Sequence, residues 1–193
     1  MLEIIFDSTA KGLSVARVHT GDPSMYGAIR EQMVALDKAG IEYEVIPGVS
    51  SVFAGAAAMK KEFTLPGVTQ TLILTRMAGR TPVPEAESIE NLAKIQASMA
   101  IFLSIASIDE LAKKLMTSYP KDTPAAVVYK ASWPDQKIIV STLECIADKV
   151  KEADINKTAL VYVGRFLADE FELSKLYDKH FSHEFREAKD ARR

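Results

Sequence analysis

Three loops of this chain carry residues that could bind a small molecule. The first, T-G-D-P-S-M-Y-G, has Gly21, which lets a ligand approach the backbone, and Asp22, which offers an anion. The second, P-G-V-S-S, offers the hydroxyls of Ser50 and Ser51, and the third, K-A-S-W-P-D-Q, places small Ala131 before a tryptophan. Each loop follows a predicted strand, which is where open α/β sheets bind their ligands.

The first loop is not a phosphate-binding loop. It lacks the Lys-Ser/Thr pair of a P-loop and the G-x-G-x-x-G pattern of a dinucleotide site, and it carries an acid instead. An acid beside exposed carbonyls suits a cationic or hydroxyl-bearing ligand better than a phosphate. Taken alone, G-D-P is also an ordinary tight turn.

Other reactive residue types give weaker signals. His180 and His183 form H-x-x-H, but no third ligand has zinc-like spacing, so no metal site is predicted. Ser50 has no Asp-His partners nearby and no G-x-S-x-G elbow exists, which argues against a hydrolase triad. Cys145 falls on the apolar side of a predicted helix and is expected in the core.

Four cations could line a cleft near these loops. Lys61, Arg76, Arg80 and Lys130 are candidates for such a rim, and arginine suits bidentate carboxylate binding. Each of them taken singly is equally compatible with an ordinary solvated surface.

Strand-like and helix-like runs alternate along the chain, which predicts an α/β fold with at least partly parallel sheets. Asp22 is expected to cap the second helix, with Pro23 at its first position and Gly40 after its end. The predicted strands are 13–19, 41–46, 69–75, 99–104, 125–129, 137–141 and 158–163, with 125–129 and 137–141 as a hairpin. The predicted helices are 1–12, 23–39, one starting near 51, 87–96, 108–117 and 143–152.

Length and composition exclude several classes of protein. The 193 residues allow one or two domains, and 48% hydrophobic with 26% charged residues is typical of globular proteins. A net charge of −2 provides no global basic field for nucleic acid, and no apolar run is long enough to cross a membrane. A single cysteine and a start without a signal-peptide pattern favour a cytoplasmic location.

Five segments together resemble the tetrapyrrole methylases. They are VHTGDPSMYGAI, EVIPGVSSVFAGAA, TQTLILTRMAGRTPVPE, VVYKASWPDQKI and TALVYVGRFL. Within that family, TRMAGRTPVPE, YKASWPDQ and SKLYDKHFSHEFR are most similar to the members that methylate C11 of precorrin-4 or cobalt-precorrin-4. The resemblance covers essentially the whole chain.

The resemblance implies a fold of two α/β domains, with mixed or parallel sheets, helices on both faces and S-adenosylmethionine in the cleft between the domains. It implies a homodimer, a tetrapyrrole substrate and no protein-bound metal. It leaves the proton acceptor unassigned. The implied cofactor residues are Thr20, Gly21, Asp22, Met25, Ser50, Ser51, Leu103 and Ala131. The polycarboxylate substrate makes Arg76, Arg80 and Lys130 candidate carboxylate anchors.

One departure from the family leads to a further prediction. Family members begin with a strand and a G-x-G-P-G-D loop, and neither precedes Leu13 here. The chain is therefore predicted to be N-terminally truncated, with 1–47 the remnant of an incomplete first domain and 48–193 the second domain.

Several alternatives stay open at this point. The methylated ring position could be C17, C20 or C2/C7, and the substrate could carry cobalt or be metal-free. A remnant without activity that binds a tetrapyrrole or a partner is a second possibility. A diphthine synthase-like enzyme that methylates a protein is a third.

Overall fold

The computed structural model describes residues 1–174, together with Ser182 and Glu184. Two compact units divide the chain, Met1–Ala54 and Gly55–Arg193, and each is described by itself. The helices are α1 (Leu2–Thr9), α2 (Ile29–Ala39), α3 (Ser51–Met59), α4 (Ile89–Ala93), α5 (Ile108–Leu115) and α6 (Ile146–Glu152). The strands are β1 (Leu72–Arg76), β2 (Ser98–Phe102), β3 (Pro124–Tyr129), β4 (Lys137–Thr142) and β5 (Ala159–Val163). The domain assignment from the sequence stays a prediction.

Two predicted strands of the first unit are absent. Segments 13–19 and 41–46 form no strand in the described part of the chain, so that prediction is wrong. Both segments have suitable β-branched and apolar residues, but a strand also needs a neighbour to complete its hydrogen-bond ladder. The two segments instead line a cavity of about 750 Å³, together with residues of α1 and α2.

The second helix begins later than its pattern suggests. Tyr26 and Ala28 have left-handed backbones (φ 55° and 50°), which a right-handed helix cannot include, so α2 starts at Ile29 rather than at Pro23. Asp22 therefore does not cap it. Gly40 ends the helix as expected, in the left-handed conformation (φ 65°) typical of this position.

The second unit is built on one mixed sheet in the order β1-β2-β5-β3-β4. Strands β1 and β2 are parallel, β5 is antiparallel to both β2 and β3, and β3 and β4 form the predicted hairpin. It follows that β1, β2 and β3 run in the same direction and end at one edge of the sheet. We call this edge the carboxyl edge.

Side chains alternate between the two faces of this sheet. One face carries Ile101, Val127 and Val161, which belong to a buried cluster that also includes residues of α4, α5 and α6. The other face carries Tyr162, whose ring stacks on Phe63 at 6.2 Å between centroids. This mixed sheet with its helices agrees with the predicted α/β class.

Cys145 is exposed, so its prediction as a core residue is wrong. The helix starts at Ile146, and Cys145 lies at its N-terminal boundary while its neighbours Leu143 and Ile146 supply the buried side chains. Among the helices that the structure describes, none is long and apolar enough to cross a membrane.

Candidate cofactor and substrate site

Asp22 joins the first two predicted loops. Its Oδ2 accepts a hydrogen bond from the backbone N–H of Gly48 at 2.9 Å. Its Oδ1 accepts from the backbone N–H of Ser24 at 2.9 Å and from the Ser24 hydroxyl. Two segments that are 26 positions apart are thus held together by one carboxylate.

These hydrogen bonds also determine the charge of Asp22. The Ser24 hydroxyl first, and then the backbone N–H groups of Gly48 and Ser24, lower the pKa of the Asp22 carboxyl. Because all of these donors favour the ionised form, the loop carries a negative charge at neutral pH.

The two loops approach so closely that no side chain fits at Gly48. Gly21 has a left-handed backbone (φ 73°), and a Cβ placed on Gly48 would collide with the Gly21 carbonyl oxygen. Ser50 follows this contact and caps α3, since its hydroxyl accepts from the Val52 N–H at 3.4 Å. Gly21 and Gly48 also line the cavity of the first unit.

The remaining predicted residues of the first unit lie beside this junction. Thr20 is exposed and directly precedes Gly21, while half-buried Met25 donates its N–H to the Asp22 carbonyl at 3.2 Å. Ser51 is the first residue of α3. The structure therefore brings the six predicted cofactor residues of this unit to one place.

This junction suits a cationic cofactor with hydroxyl groups. It combines an ionised carboxylate, neighbouring backbone carbonyls, serine hydroxyls and a close glycine approach, and neither of its two segments, 20–25 and 48–51, contains a lysine or arginine. The cationic or hydroxyl-bearing ligand that the sequence predicts for the first loop therefore fits the groups that this junction offers.

In the second unit, the predicted residues lie at the carboxyl edge. Leu103 follows β2, and Lys130 and Ala131 follow β3. Leu103 and Lys130 have left-handed backbones (φ 53° and 47°), as does Ser132 (φ 71°). Non-glycine residues rarely adopt this conformation, and they cluster at ligand sites where the surrounding structure enforces it.

Ser104 holds the backbone of Leu103 in this left-handed conformation. Its buried hydroxyl donates to the Phe102 carbonyl at 2.7 Å and accepts from the Met77 N–H at 3.0 Å. This bridge spans Leu103, a residue that is 75% exposed, and joins the ends of β1 and β2. Ser104 is not among the residues predicted from the sequence, where its signal is a lone hydroxyl at the end of the apolar run MAIFLS.

Lys130 is held in place by its own loop, residues 130–136. Its ammonium pairs with Asp135 and lies 5.1 Å from the centre of the Tyr129 ring and 5.3 Å from that of Trp133. The hydrogen bond to Asp135, followed by one involving Tyr129, raises the pKa of Lys130. The same bond from Lys130 lowers the pKa of Asp135.

The other predicted cations differ in their surroundings. Half-buried Arg76, the last residue of β1, directs its guanidinium to carbonyls of the loop that follows. Arg80 is exposed on that loop, and Lys61 is bound to the Ala168 carbonyl and to Asp169. The roles of Arg76, Arg80 and Lys130 in substrate binding stay predictions.

No group of three or more potential metal ligands occurs among the described residues. His180 and His183, the H-x-x-H pair, lie outside the described residues, as do most residues of the SKLYDKHFSHEFR segment.

Comparison with known proteins finds a family match and close relatives. The model of the tetrapyrrole (corrin/porphyrin) methylases matches residues 1–147. A cobalt-precorrin-4 C(11)-methyltransferase from Methanocaldococcus jannaschii is 52% identical over 190 residues, covering 97% of this chain and 73% of that enzyme. A precorrin-4 C(11)-methyltransferase from Pseudomonas aeruginosa is 46% identical over 187 residues, covering 96% of this chain and 75% of that enzyme.

A solved structure is similar as well. The X-ray structure of a cobalt precorrin-4 methyltransferase, described as a cobalamin biosynthetic enzyme, matches with a TM-score of 0.84 at 47% identity. The match covers 86% of this chain and 70% of that one.

Proposed function

The chain belongs to the tetrapyrrole (corrin/porphyrin) methylases, and we propose that it methylates C11 of precorrin-4 or cobalt-precorrin-4 in cobalamin biosynthesis. The methyl donor in this proposal is S-adenosylmethionine. The observation that carries the proposal is the 52% identity to a cobalt-precorrin-4 C(11)-methyltransferase over 97% of this chain. The matched region covers nearly the whole chain.

In the proposed cofactor site, the first unit contributes a charged and hydroxyl-rich junction. The Asp22 carboxylate, the glycine approach at Gly21 and Gly48, and the hydroxyls of Ser50 and Ser51 would hold the polar parts of S-adenosylmethionine. When bound, S-adenosylmethionine supplies an activated methyl group on a sulfonium. Thr20 and Met25 lie beside these groups and complete the proposed contacts.

In the second unit, the proposal assigns contacts with the cofactor to apolar residues and contacts with the substrate to cations. The exposed Leu103 side chain and the small Ala131 would contact the cofactor, because both lie at the carboxyl edge on backbone held by neighbouring hydrogen bonds. Arg80 and Lys130 at this edge would bind carboxylates of the tetrapyrrole. Here the chain's main task is to align the two reactants and exclude water.

The chemical step requires little from the protein itself. A bond forms between C11 and the methyl carbon while the bond from that carbon to sulfur breaks, so S-adenosylhomocysteine leaves and the substrate loses a proton. No described residue is assigned as the base. We also infer that the enzyme acts as a cytoplasmic homodimer, which is supported by its family resemblance.

Two measurements on the full chain test this function. Calorimetric titration with S-adenosylhomocysteine should show saturable binding, and incubation with each form of precorrin-4 and labelled donor should transfer one methyl group. Gly48→Ala is expected to abolish or strongly weaken cofactor binding, because the added Cβ collides with backbone that cannot move aside alone.

Gly79→Ala is the matched control, since a Cβ there meets no atom within 4 Å. It should bind S-adenosylhomocysteine as the wild type does. Absence of binding by the wild-type chain at millimolar ligand would contradict the proposed function.

A further inference from the structure

Arg76 organises the loop that follows β1. Its Nη1 donates to the carbonyls of Met77 at 3.3 Å and Thr81 at 3.1 Å, and its Nη2 donates to that of Pro82 at 2.8 Å. One guanidinium thus connects both ends of residues 77–82, which we call the arginine loop.

Two further hydrogen bonds fix the arginine loop. The Met77 N–H donates to Ser104 Oγ at 3.0 Å, which fastens the start of the loop to the end of β2. Within the loop, the Gly79 N–H donates to the Thr81 carbonyl at 3.2 Å. The backbone on both sides of Arg80 is therefore held at the carboxyl edge.

Arg76 and Arg80 differ in how many guanidinium N–H groups they have free to bind a ligand. Arg76 uses both N–H groups of Nη1 and one of Nη2 on loop carbonyls, so an end-on bidentate bond to a carboxylate would require it to release the loop. Arg80 is exposed and forms no ion pair or side-chain hydrogen bond with the residues that the structure describes. Its planar fork is available to a ligand.

We propose that Arg80 binds a carboxylate of the substrate and that Arg76 is its positioning residue, acting through the arginine loop. This inference rests on the proposed function, which supplies a polycarboxylate ring as the substrate. It changes the expected role of Arg76, since Arg76 itself then contacts no substrate carboxylate.

The position of a second cation supports this substrate class. Lys130 lies at the same carboxyl edge after β3, and β1 and β3 are three strand spacings apart, or about 14 Å. Cations on loops that follow two different strands of one sheet edge match a flat ligand that carries carboxylates around its rim. Lys130 already has Asp135 as a counter-ion, so Arg80 is the cation of the two with unshared charge.

A double-mutant cycle scored on ligand binding tests the proposal. The probe is uroporphyrin III, a polycarboxylate porphyrin, and the readout is quenching of Trp133, the single tryptophan. Arg80→Gln is expected to raise the Kd about tenfold, the equivalent of one charge-assisted interaction. Arg76→Lys, whose ammonium cannot span three carbonyls, should raise it by a similar factor.

The double variant distinguishes positioning from direct binding. If Arg76 acts through Arg80, then Arg76→Lys in the Arg80→Gln background adds no further loss. Affinity for S-adenosylhomocysteine should stay at the wild-type value in all three variants. Arg165→Gln removes a guanidinium at the opposite edge of the same sheet, after β5, and should leave the Kd for uroporphyrin unchanged.

Three results would overturn the inference. They are an unchanged Kd in Arg80→Gln, effects of the two substitutions that multiply in the double variant, and an equal loss of S-adenosylhomocysteine affinity in Arg76→Lys. Failure of the proposed function gives a different result, in which the wild type binds the porphyrin and the cofactor product but methylates neither form of precorrin-4.

Discussion

Asp22 accepts a hydrogen bond from Gly48, 26 positions along the chain, and this tertiary role differs from the helix cap that its sequence suggests. Glycine and aspartate before a proline correctly indicate a turn with an anion beside it. They carry no information about Gly48, because the partner of a carboxylate across a fold depends on how distant segments pack. Residue types therefore predicted the loop but not its hydrogen bonds.

The lowered pKa of Asp22 predicts how stability changes with pH. Its folded pKa lies below the value of about 3.9 for an unperturbed aspartate. The carboxylate thus contributes stability that is fully present above that value and is lost as pH falls through the folded pKa. In urea unfolding, the difference between wild type and Asp22→Asn should be constant from about pH 5 to 7 and should shrink below about pH 4.

The contribution is expected to be small, because Asp22 is accessible to solvent. A difference that grows as the solution is acidified would contradict the assignment of these hydrogen bonds to the ionised carboxylate.

At the scale of elements, the sequence pattern correctly predicted features that depend on residues close together in the chain. The β3–β4 hairpin follows from two apolar runs joined by a short turn-rich loop, and Gly40 ends α2. Segments 13–19 and 41–46 have equally good strand composition but no ladder partner in the described structure. Composition cannot reveal the absence of a neighbour, and this is why those two strands were predicted and did not form.

Ser104→Ala tests the bridge between β1 and β2. The substitution leaves the N–H of buried Met77 without its acceptor, which costs about 1–3 kcal/mol in free energy of unfolding. Urea denaturation should show this loss in Ser104→Ala. Equal stabilities of wild type and Ser104→Ala would contradict the bridge.

Gly55→Ala tests the packing of α3 in the second unit. A Cβ on Gly55 would collide with the hydroxyl of the fully buried Tyr162. Overpacking of this kind costs about 1–3 kcal/mol, and thermal melting should show a lower Tm.

Gly79→Ala is again the matched control, with open space around its Cβ and an expected Tm equal to that of the wild type or slightly higher. If both alanine variants melted at the wild-type temperature, the close approach of α3 to Tyr162 would be refuted.

At the scale of the whole molecule, the loops were more informative jointly than singly. A G-D-P turn, a P-G-x-S-S turn and a K-A-S-W-P-D loop are each compatible with many proteins, yet their order along the chain indicated one family, which the family match confirms. Each unit gathers its own share of the predicted residues, at the Asp22 junction and at the carboxyl edge. The proposed truncation and domain boundary stay predictions.

The position of the transferred methyl group tests the central claim most directly. The chain is incubated with precorrin-4 or cobalt-precorrin-4 and with donor labelled at the methyl carbon, and the product is examined by NMR. We expect one new labelled methyl group, located on C11. A label on C17, C20, C2 or C7, or no transfer by a chain that binds S-adenosylhomocysteine, would contradict the proposed function.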